Sequence, residues 1–244
     1  MQSSQNTVFI TGGSSGIGLA LARGFLDLQN TVIICGRDQR KLDAVKKQHP
    51  EIVTIRCDVT QADDVQRTVD TLCETFPQLN VLVNNAGVQQ RYDFCAGDNV
   101  PARIDEEIAV NLTAVMRLTH LFLPVLVRQP GAAIVNVSSL LGYIPKKSAP
   151  VYCATKAGVH AFSQSLRYQL ADTAVKVFEV VPPLVDTGMT QGQAEPKISP
   201  QTLAREVLQS LQRDRYEVHV GQTKGLLALH RFFPALVGSM VGNK

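Results

Sequence analysis

The sequence predicts an α/β fold, a doubly wound sheet of seven parallel strands with helices on both faces, formed by residues 1–244 as a single domain. Three observations carry this. Seven apolar, strand-like runs alternate with helix-like stretches, and such alternation implies right-handed crossovers and a parallel sheet covered on both faces. The first run passes straight into a glycine-rich turn that opens a helix. Finally, Gly12, Asn84, Ser139 and Pro182 each fall at or just past the carboxyl end of a run, where ligands bind in open parallel sheets.

The first strand is expected at residues 7–11, leading into Thr11-Gly12-Gly13-Ser14-Ser15-Gly16-Ile17-Gly18. Its glycines act differently. Gly12 takes a backbone conformation closed to other residues, Gly16 lets the chain approach a pyrophosphate, and Gly18 lets the helix pack close to the strand. The helix from about Ile17 to Leu28 presents its positive end to phosphate oxygens. With a second strand at 31–35, this strand-turn-helix-strand unit is the signature of a Rossmann-type dinucleotide site. The residue after the second strand meets the adenosine ribose, and there Gly36-Arg37 stand where an acidic residue would select NAD(H). A guanidinium fits a 2′-phosphate bidentately, so NADP(H) is preferred, with NAD(H) the alternative. The adjacent Asp38 complicates that reading, or is a first-turn carboxylate of the next helix.

Further strands are expected at 52–57, followed by Asp58-Val59, at 80–84, followed by Asn85-Ala86-Gly87, and at 132–138, ending beside Ser139. Good helix formers from Ala154 to Leu170 predict a helix that places Tyr152 and Lys156 one turn apart on one face. A free phenol is a poor base near neutrality, and a neighbouring ammonium should draw its pKa down toward working pH. Ser139 offers a hydroxyl to hold the reacting oxygen. By itself Tyr-x-x-x-Lys is an ordinary amphipathic-helix spacing; the independent glycine motif gives it weight.

These motifs together resemble the short-chain dehydrogenases/reductases over nearly the whole chain, from Thr7 to about Thr187, in a texture similar to the bacterial DltE-like members. The resemblance implies oxidoreduction of a carbonyl or alcohol substrate, with Asn111, Ser139, Tyr152 and Lys156 as the catalytic set. It further implies that Gly12, Ser14, Ser15, Gly16, Ile17, Gly18 and Arg37 bind the cofactor. Asp58 and Val59 would hold the adenine, Asn85, Ala86 and Gly87 would line the ribose side, and Pro182, Val185 and Thr187 would fix the nicotinamide. Lys156 would also hold ribose hydroxyls, and Asn111 would anchor a water leading from Lys156 to solvent. The chain departs from the family at Pro182-Pro183, where most members read Pro-Gly. A second proline stiffens the turn and removes a donor, a change that reshapes a pocket more readily than it abolishes binding. By the same resemblance the protein pairs through helices near 104–128 and 152–170 into a homodimer or homotetramer.

Composition sets the limits. With 45% hydrophobic residues the chain can bury one good core. A net charge of +3, with basic residues scattered, gives nucleic acid no stripe to follow. Cys35, Cys57, Cys73, Cys95 and Cys153 form no C-x-x-C pair, and the five histidines lie apart, so no disulfide frame and no metal are expected. A catalytic role for Cys153 is disfavoured because it points about 100° away from Tyr152 on a helix. A short polar leader and the lack of eighteen consecutive apolar residues make a cytoplasmic, soluble enzyme the expectation. Residues 188–200 read as a short loop over the substrate pocket, and Lys146-Lys147 as a solvated loop or a lure for an acidic substrate. The last strand is expected at 216–220, after one at 175–181. Residues 224–244 form an apolar tail that packs over the pocket or on a partner subunit, the favoured reading, or else lies on a membrane surface or is loosely ordered. A second class stays open, a catalytically silent dinucleotide sensor or scaffold, and a third, dehydration or epimerisation with retained cofactor.

Overall fold

The computed structural model describes residues 1–95, 100–193 and 196–242; positions 194–195 of the expected substrate loop and 243–244 of the tail lie outside the described residues. Seven parallel strands form one sheet: β1 (Thr7–Thr11), β2 (Thr31–Gly36), β3 (Val53–Arg56), β4 (Val81–Asn84), β5 (Ala132–Val137), β6 (Val175–Val181) and β7 (Glu217–His219). Their order across the sheet is β3-β2-β1-β4-β5-β6-β7. The connections are α1 (Gly16–Asp27), α2 (Gln39–Gln48), α3 (Ala62–Thr75), α4 (Val100–Ile108), α5 (Ala114–Leu126), α6 (Pro150–Gln169) and α7 (Pro200–Gln212). A π-helical turn, Ala109–Thr113, joins α4 to α5 without a break. Winding reverses between β1 and β4, so their carboxyl ends part there and open a crevice.

Both sheet faces are buried. Val8, Ile10, Val32, Ile34, Val81 and Val83 pack under α1 and α7 with Leu21, Phe25, Leu203 and Val207. Alternate residues Phe9, Ile33 and Leu82 meet Leu72, Leu118, Phe122 and Leu166 from α3, α5 and α6. The period of two therefore appears as alternation between two apolar layers, which is why the strands read as continuous hydrophobic runs. The stretch Val100–Leu126 has the length and hydropathy of a membrane span, yet its Leu118, Phe122, Val125 and Leu126 are core residues.

One expectation needs correction in detail. Helix α6 begins at Pro150, four residues before Ala154. Proline at the first helical position has its φ preset and no N–H to satisfy, so it starts a helix that the β-branched and aromatic run Val151-Tyr152 conceals. The tail is two helices, α8 (Thr223–Phe232) and α9 (Pro234–Gly242), with Pro234 opening the second. Val237, Leu226, Leu227 and Val241 pack on Leu140, Tyr143 and Ile144, just beyond Ser139. The Lys147 N–H donates to the Gly242 carbonyl at 2.9 Å. One tail face thus covers the loop after β5, while Phe232, Phe233, Leu236 and Met240 stay exposed.

Candidate active site

The crevice between β1 and β4 is a cleft of about 550 Å³ whose walls include Gly12, Ser14, Ser15, Gly16, Ile17, Arg37, Asp58, Val59, Asn85, Ala86, Gly87, Tyr152, Lys156, Pro182 and Thr187. Its phosphate end is built as the glycine spacing requires. Gly12 and Gly16 sit at φ +65° and +55°. A Cβ on Gly12 would come within 2.9 Å of Ala86 Cα, and one on Gly18 would overlap the Gly12 carbonyl oxygen. Ser15 caps α1 without a side-chain bond, so the first-turn N–H groups remain available to an anion. Thr11 and Asn85 stitch the rims together: the Asn85 and Ala86 N–H groups donate to Thr11 Oγ1 at 3.0 Å, and Asn85 Nδ2 donates to the Thr11 carbonyl at 2.9 Å. A turn that only glycine fills, beside an open helix end, fits a dinucleotide pyrophosphate.

At the adenosine end Arg37 is exposed, 3.5 Å from Glu106 of α4. Asp38 is resolved as a helix cap: its side chain accepts from the Lys41 N–H at 3.3 Å, so it belongs to α2. Asp58 Oδ1 accepts from Thr60 N and Oγ1 at 3.0 and 2.8 Å, which fixes the carboxylate on the cleft wall.

At the other end α6 carries Tyr152 and Lys156, both buried. Lys156 Nζ donates to the Val137 carbonyl at 2.8 Å and lies 5.6 Å from the centre of the Tyr152 ring. The expected depression of the phenol is not found: burial pushes Tyr152 up to about 12, and the nearby Ser139 hydroxyl works in the opposite direction. Burial also lowers Lys156 to about 8. The physical reason is common to both, since a site excluded from water penalises either charge. Burial likewise raises the Cys153 thiol, which takes the Lys146 N–H at 3.2 Å and is occupied structurally.

Some assigned residues stand behind the wall. Gly18 sits at the helix-strand contact. Val185, 3% exposed, pairs with Ile198 rather than facing the cleft. Thr187, by contrast, is on the cleft wall, where it caps the turn Gly188–Thr190 and stands close to Gly16. Asn111, in the π turn, clamps the chain after the third cleft motif: its Oδ1 accepts from Val88 N at 2.9 Å and its Nδ2 donates to the Val88 carbonyl at 2.8 Å. A Cβ on Gly87 would lie 3.3 Å from Asn111 Oδ1 and 3.7 Å from Lys156 Nζ, so all three meet at one point.

Two buried carboxylates were not visible in the sequence pattern. Glu107, fully buried, accepts from Gln90 N at 3.2 Å and from the Tyr92 hydroxyl at 2.7 Å. Glu179, fully buried in β6, accepts from the Ser138 hydroxyl at 2.5 Å and from His160 Nδ1 at 2.8 Å, with the Tyr143 hydroxyl 3.3 Å away. The only available signal was a charge at an inward position of an apolar strand or of a helix leading to Asn111.

A family model described as short chain dehydrogenase matches residues 6–197. An uncharacterized oxidoreductase, DltE, of Bacillus subtilis (strain 168) is 43% identical over 93% of this chain and 92% of its own length. A Staphylococcus epidermidis uncharacterized oxidoreductase is 31% identical over 85% of the chain and 91% of its own length. Among solved structures, a short chain dehydrogenase of Burkholderia cenocepacia in complex with NADP superposes with a TM-score of 0.87 at 24% identity, covering 99% of both chains. One from Burkholderia phymatum in complex with NAD gives 0.85 at 21%, covering 97% of this chain and 96% of that one. One from Sphingobium yanoikuyae in complex with NADPH gives 0.82 at 27%, covering 93% and 94%.

Proposed function

The chain belongs to the short-chain dehydrogenase family, and from that premise we propose that this oxidoreductase interconverts a carbonyl and an alcohol on a small or lipophilic substrate, with NADP(H) preferred over NAD(H). The observation that carries the reading is a single cleft holding the glycine turn and Arg37 at one end and Tyr152 with Lys156 at the other. When bound, the nicotinamide dinucleotide supplies or accepts the hydride. Tyr152, kept as the phenol by its burial, gives its proton to the carbonyl oxygen on reduction, and Ser139 holds that oxygen. Lys156 contributes positive charge at the same point and binds ribose hydroxyls. Asn111 holds the Val88 backbone and with it the wall beside Gly87.

The structural relatives bind NADP, NAD and NADPH, which supports a nicotinamide dinucleotide of either kind, and the exposed guanidinium of Arg37 with Lys41 on the same wall favours the 2′-phosphate. A lipophilic substrate agrees with the apolar tail packed on Leu140 and Ile144. The exposed tail face and the pairing helices suit a homodimer or homotetramer, which sedimentation of the native protein tests directly. For the chemistry, NADPH consumption is followed with a panel of aliphatic and aromatic carbonyls. Tyr152→Phe should lower turnover by at least about 10²-fold while leaving NADPH affinity nearly unchanged. A Tyr152→Phe enzyme turning over at the native rate would end this assignment.

A further inference from the structure

Glu107 has a place in the proton chemistry that the catalytic set of the sequence does not include. It lies in α4 one turn ahead of Asn111, and the helix continues unbroken between them. The two side chains grip successive points of one extended segment: Asn111 holds Val88, Glu107 holds the N–H of Gln90, and Tyr92 closes the series through its hydroxyl. On the far side of Asn111 stands Lys156 Nζ, the two meeting at Gly87. A buried ammonium and a fully buried carboxylate therefore flank the same asparagine, and neither has an ion-pair partner in contact among the described residues.

We propose that Glu107 is the fixed counter-charge of the site, a positioning residue that keeps both Tyr152 and Lys156 in their protonated forms and so biases the enzyme toward reduction of a carbonyl. The inference deepens the oxidoreductase reading and rests on it. Its physical basis is that a carboxylate in a poorly screened interior favours protons on every acid nearby. Burial is the chief cause lowering Lys156 to about 8, and Glu107 is the group that opposes it. The same charge adds to the burial that raises Tyr152. The groups facing Glu107 are Tyr92 on the extended segment, Arg103 and Glu106 on its own helix, and Tyr152, Cys153 and Lys156 on α6. Arg103 reaches it indirectly, its Nε donating to the Gln90 side chain at 2.5 Å and its guanidinium lying 5.0 Å over the Tyr92 ring. Burial is the chief cause raising Glu107 itself, so the bias fades with acid at a higher pH than an ordinary carboxylate would set.

A glutamine at 107 can accept the Gln90 N–H on its amide oxygen and donate its amide N–H to the Tyr92 hydroxyl oxygen, whose own hydrogen turns to the Arg103 carbonyl at 2.9 Å, so a purely structural clamp survives the exchange and the charge does not. The test is NADPH fluorescence titration across pH 6.5 to 9.5 on the native protein, Glu107→Gln and Glu107→Asp. A parallel series in a Cys57→Ser background removes a thiol that lines the cleft and that Cys35 holds below its usual range. Affinity should fall as pH rises through about 8, where Lys156 loses its charge. Glu107→Gln should move that fall to lower pH by about half a unit or more, giving about twofold weaker binding at pH 8 and about threefold at pH 9.5, while Glu107→Asp follows the native curve. Superimposed curves for the native protein and Glu107→Gln would reduce Glu107 to a backbone clamp and overturn the proposal. Absence of NADPH binding by the native protein at every pH would overturn the cofactor reading beneath it, a separate and distinguishable failure.

Discussion

Replacing Glu179 with leucine removes the acceptor on which the back of the Ser139 loop converges. The carboxylate is fully buried in β6 and takes the Ser138 hydroxyl at 2.5 Å and the His160 Nδ1–H at 2.8 Å. The Tyr143 hydroxyl lies 2.7 Å from that same nitrogen, whose single proton goes to Glu179, so tyrosine turns its own hydrogen to the carboxylate at 3.3 Å. Each buried donor left without an acceptor costs about 1–3 kcal/mol. Ser138 retains the Val180 carbonyl at 3.2 Å and His160 reaches solvent, so the full sum is not expected. A net loss of about 2–4 kcal/mol follows, which for a domain of this size lowers the melting temperature by roughly 4–16 °C. Calorimetry at neutral pH reads this directly, with Glu179→Gln falling between leucine and the native protein because its amide oxygen still accepts one bond. A melting temperature for Glu179→Leu within about 2 °C of native, a loss of no more than about 1 kcal/mol, would refute the view that this carboxylate anchors the loop.

Other outcomes follow from the same structure. Lys156 is held in its charged form against burial, and its folded pKa of about 8 lies below the ordinary 10.5, so the unfolded chain binds more protons between those values. Its contribution to stability is therefore present above the unfolded value and lost as pH falls through about 8. Lys156→Met should then stabilise the protein at pH 7, by up to about 3 kcal/mol less the lost bond to Val137, while abolishing turnover; thermal melts at pH 7 and 10 should show the advantage shrinking at the higher pH. In Gly18→Ala the new Cβ would overlap the Gly12 carbonyl oxygen and lie 2.5 Å from Asn85 Nδ2, so the glycine turn must shift. The strain, about 1–3 kcal/mol, should weaken NADPH binding by roughly 5- to 150-fold in a fluorescence titration, and unchanged affinity would contradict the cradle geometry. Val237→Asp puts a charge into the contact with Leu140 and Ile144, and should expose α9 to limited proteolysis while β1–β5 resist; a native cleavage pattern would show that the tail is not held there.

Much of the fold could be read directly from the chain because its signals are local and repeated. Strands β1, β2 and β4 are short, largely apolar runs, and Gly12, Gly16 and Gly18 are needed for reasons that act within a few residues. The convergence of Gly12 and Pro182 on one cleft was legible too, since parallel topology sends every strand's carboxyl end to the same edge; Tyr152 and Lys156 reach it from α6. The charge balance of the site was not. Whether Lys156 depresses the Tyr152 phenol depends on the distance between Nζ and the ring and on the exclusion of water, and i,i+4 spacing specifies neither. Glu107 and Glu179 were hidden for a related reason. Their donors, Gln90 and Tyr92 for one and Ser138, Tyr143 and His160 for the other, come from segments far apart in the chain, and a lone acidic residue in a sequence looks like a solvated one.

The central claim is that one cleft binds a nicotinamide dinucleotide with Arg37 facing its 2′-phosphate. Fluorescence titration with NADPH and separately with NADH, on the native protein and on Arg37→Glu, tests it most directly. The account predicts tighter binding of NADPH by the native protein and a reversal of that order in the variant, whose carboxylate repels the phosphate and accepts from the ribose hydroxyl. Equal affinity for both dinucleotides in both proteins, or binding of neither, would contradict it.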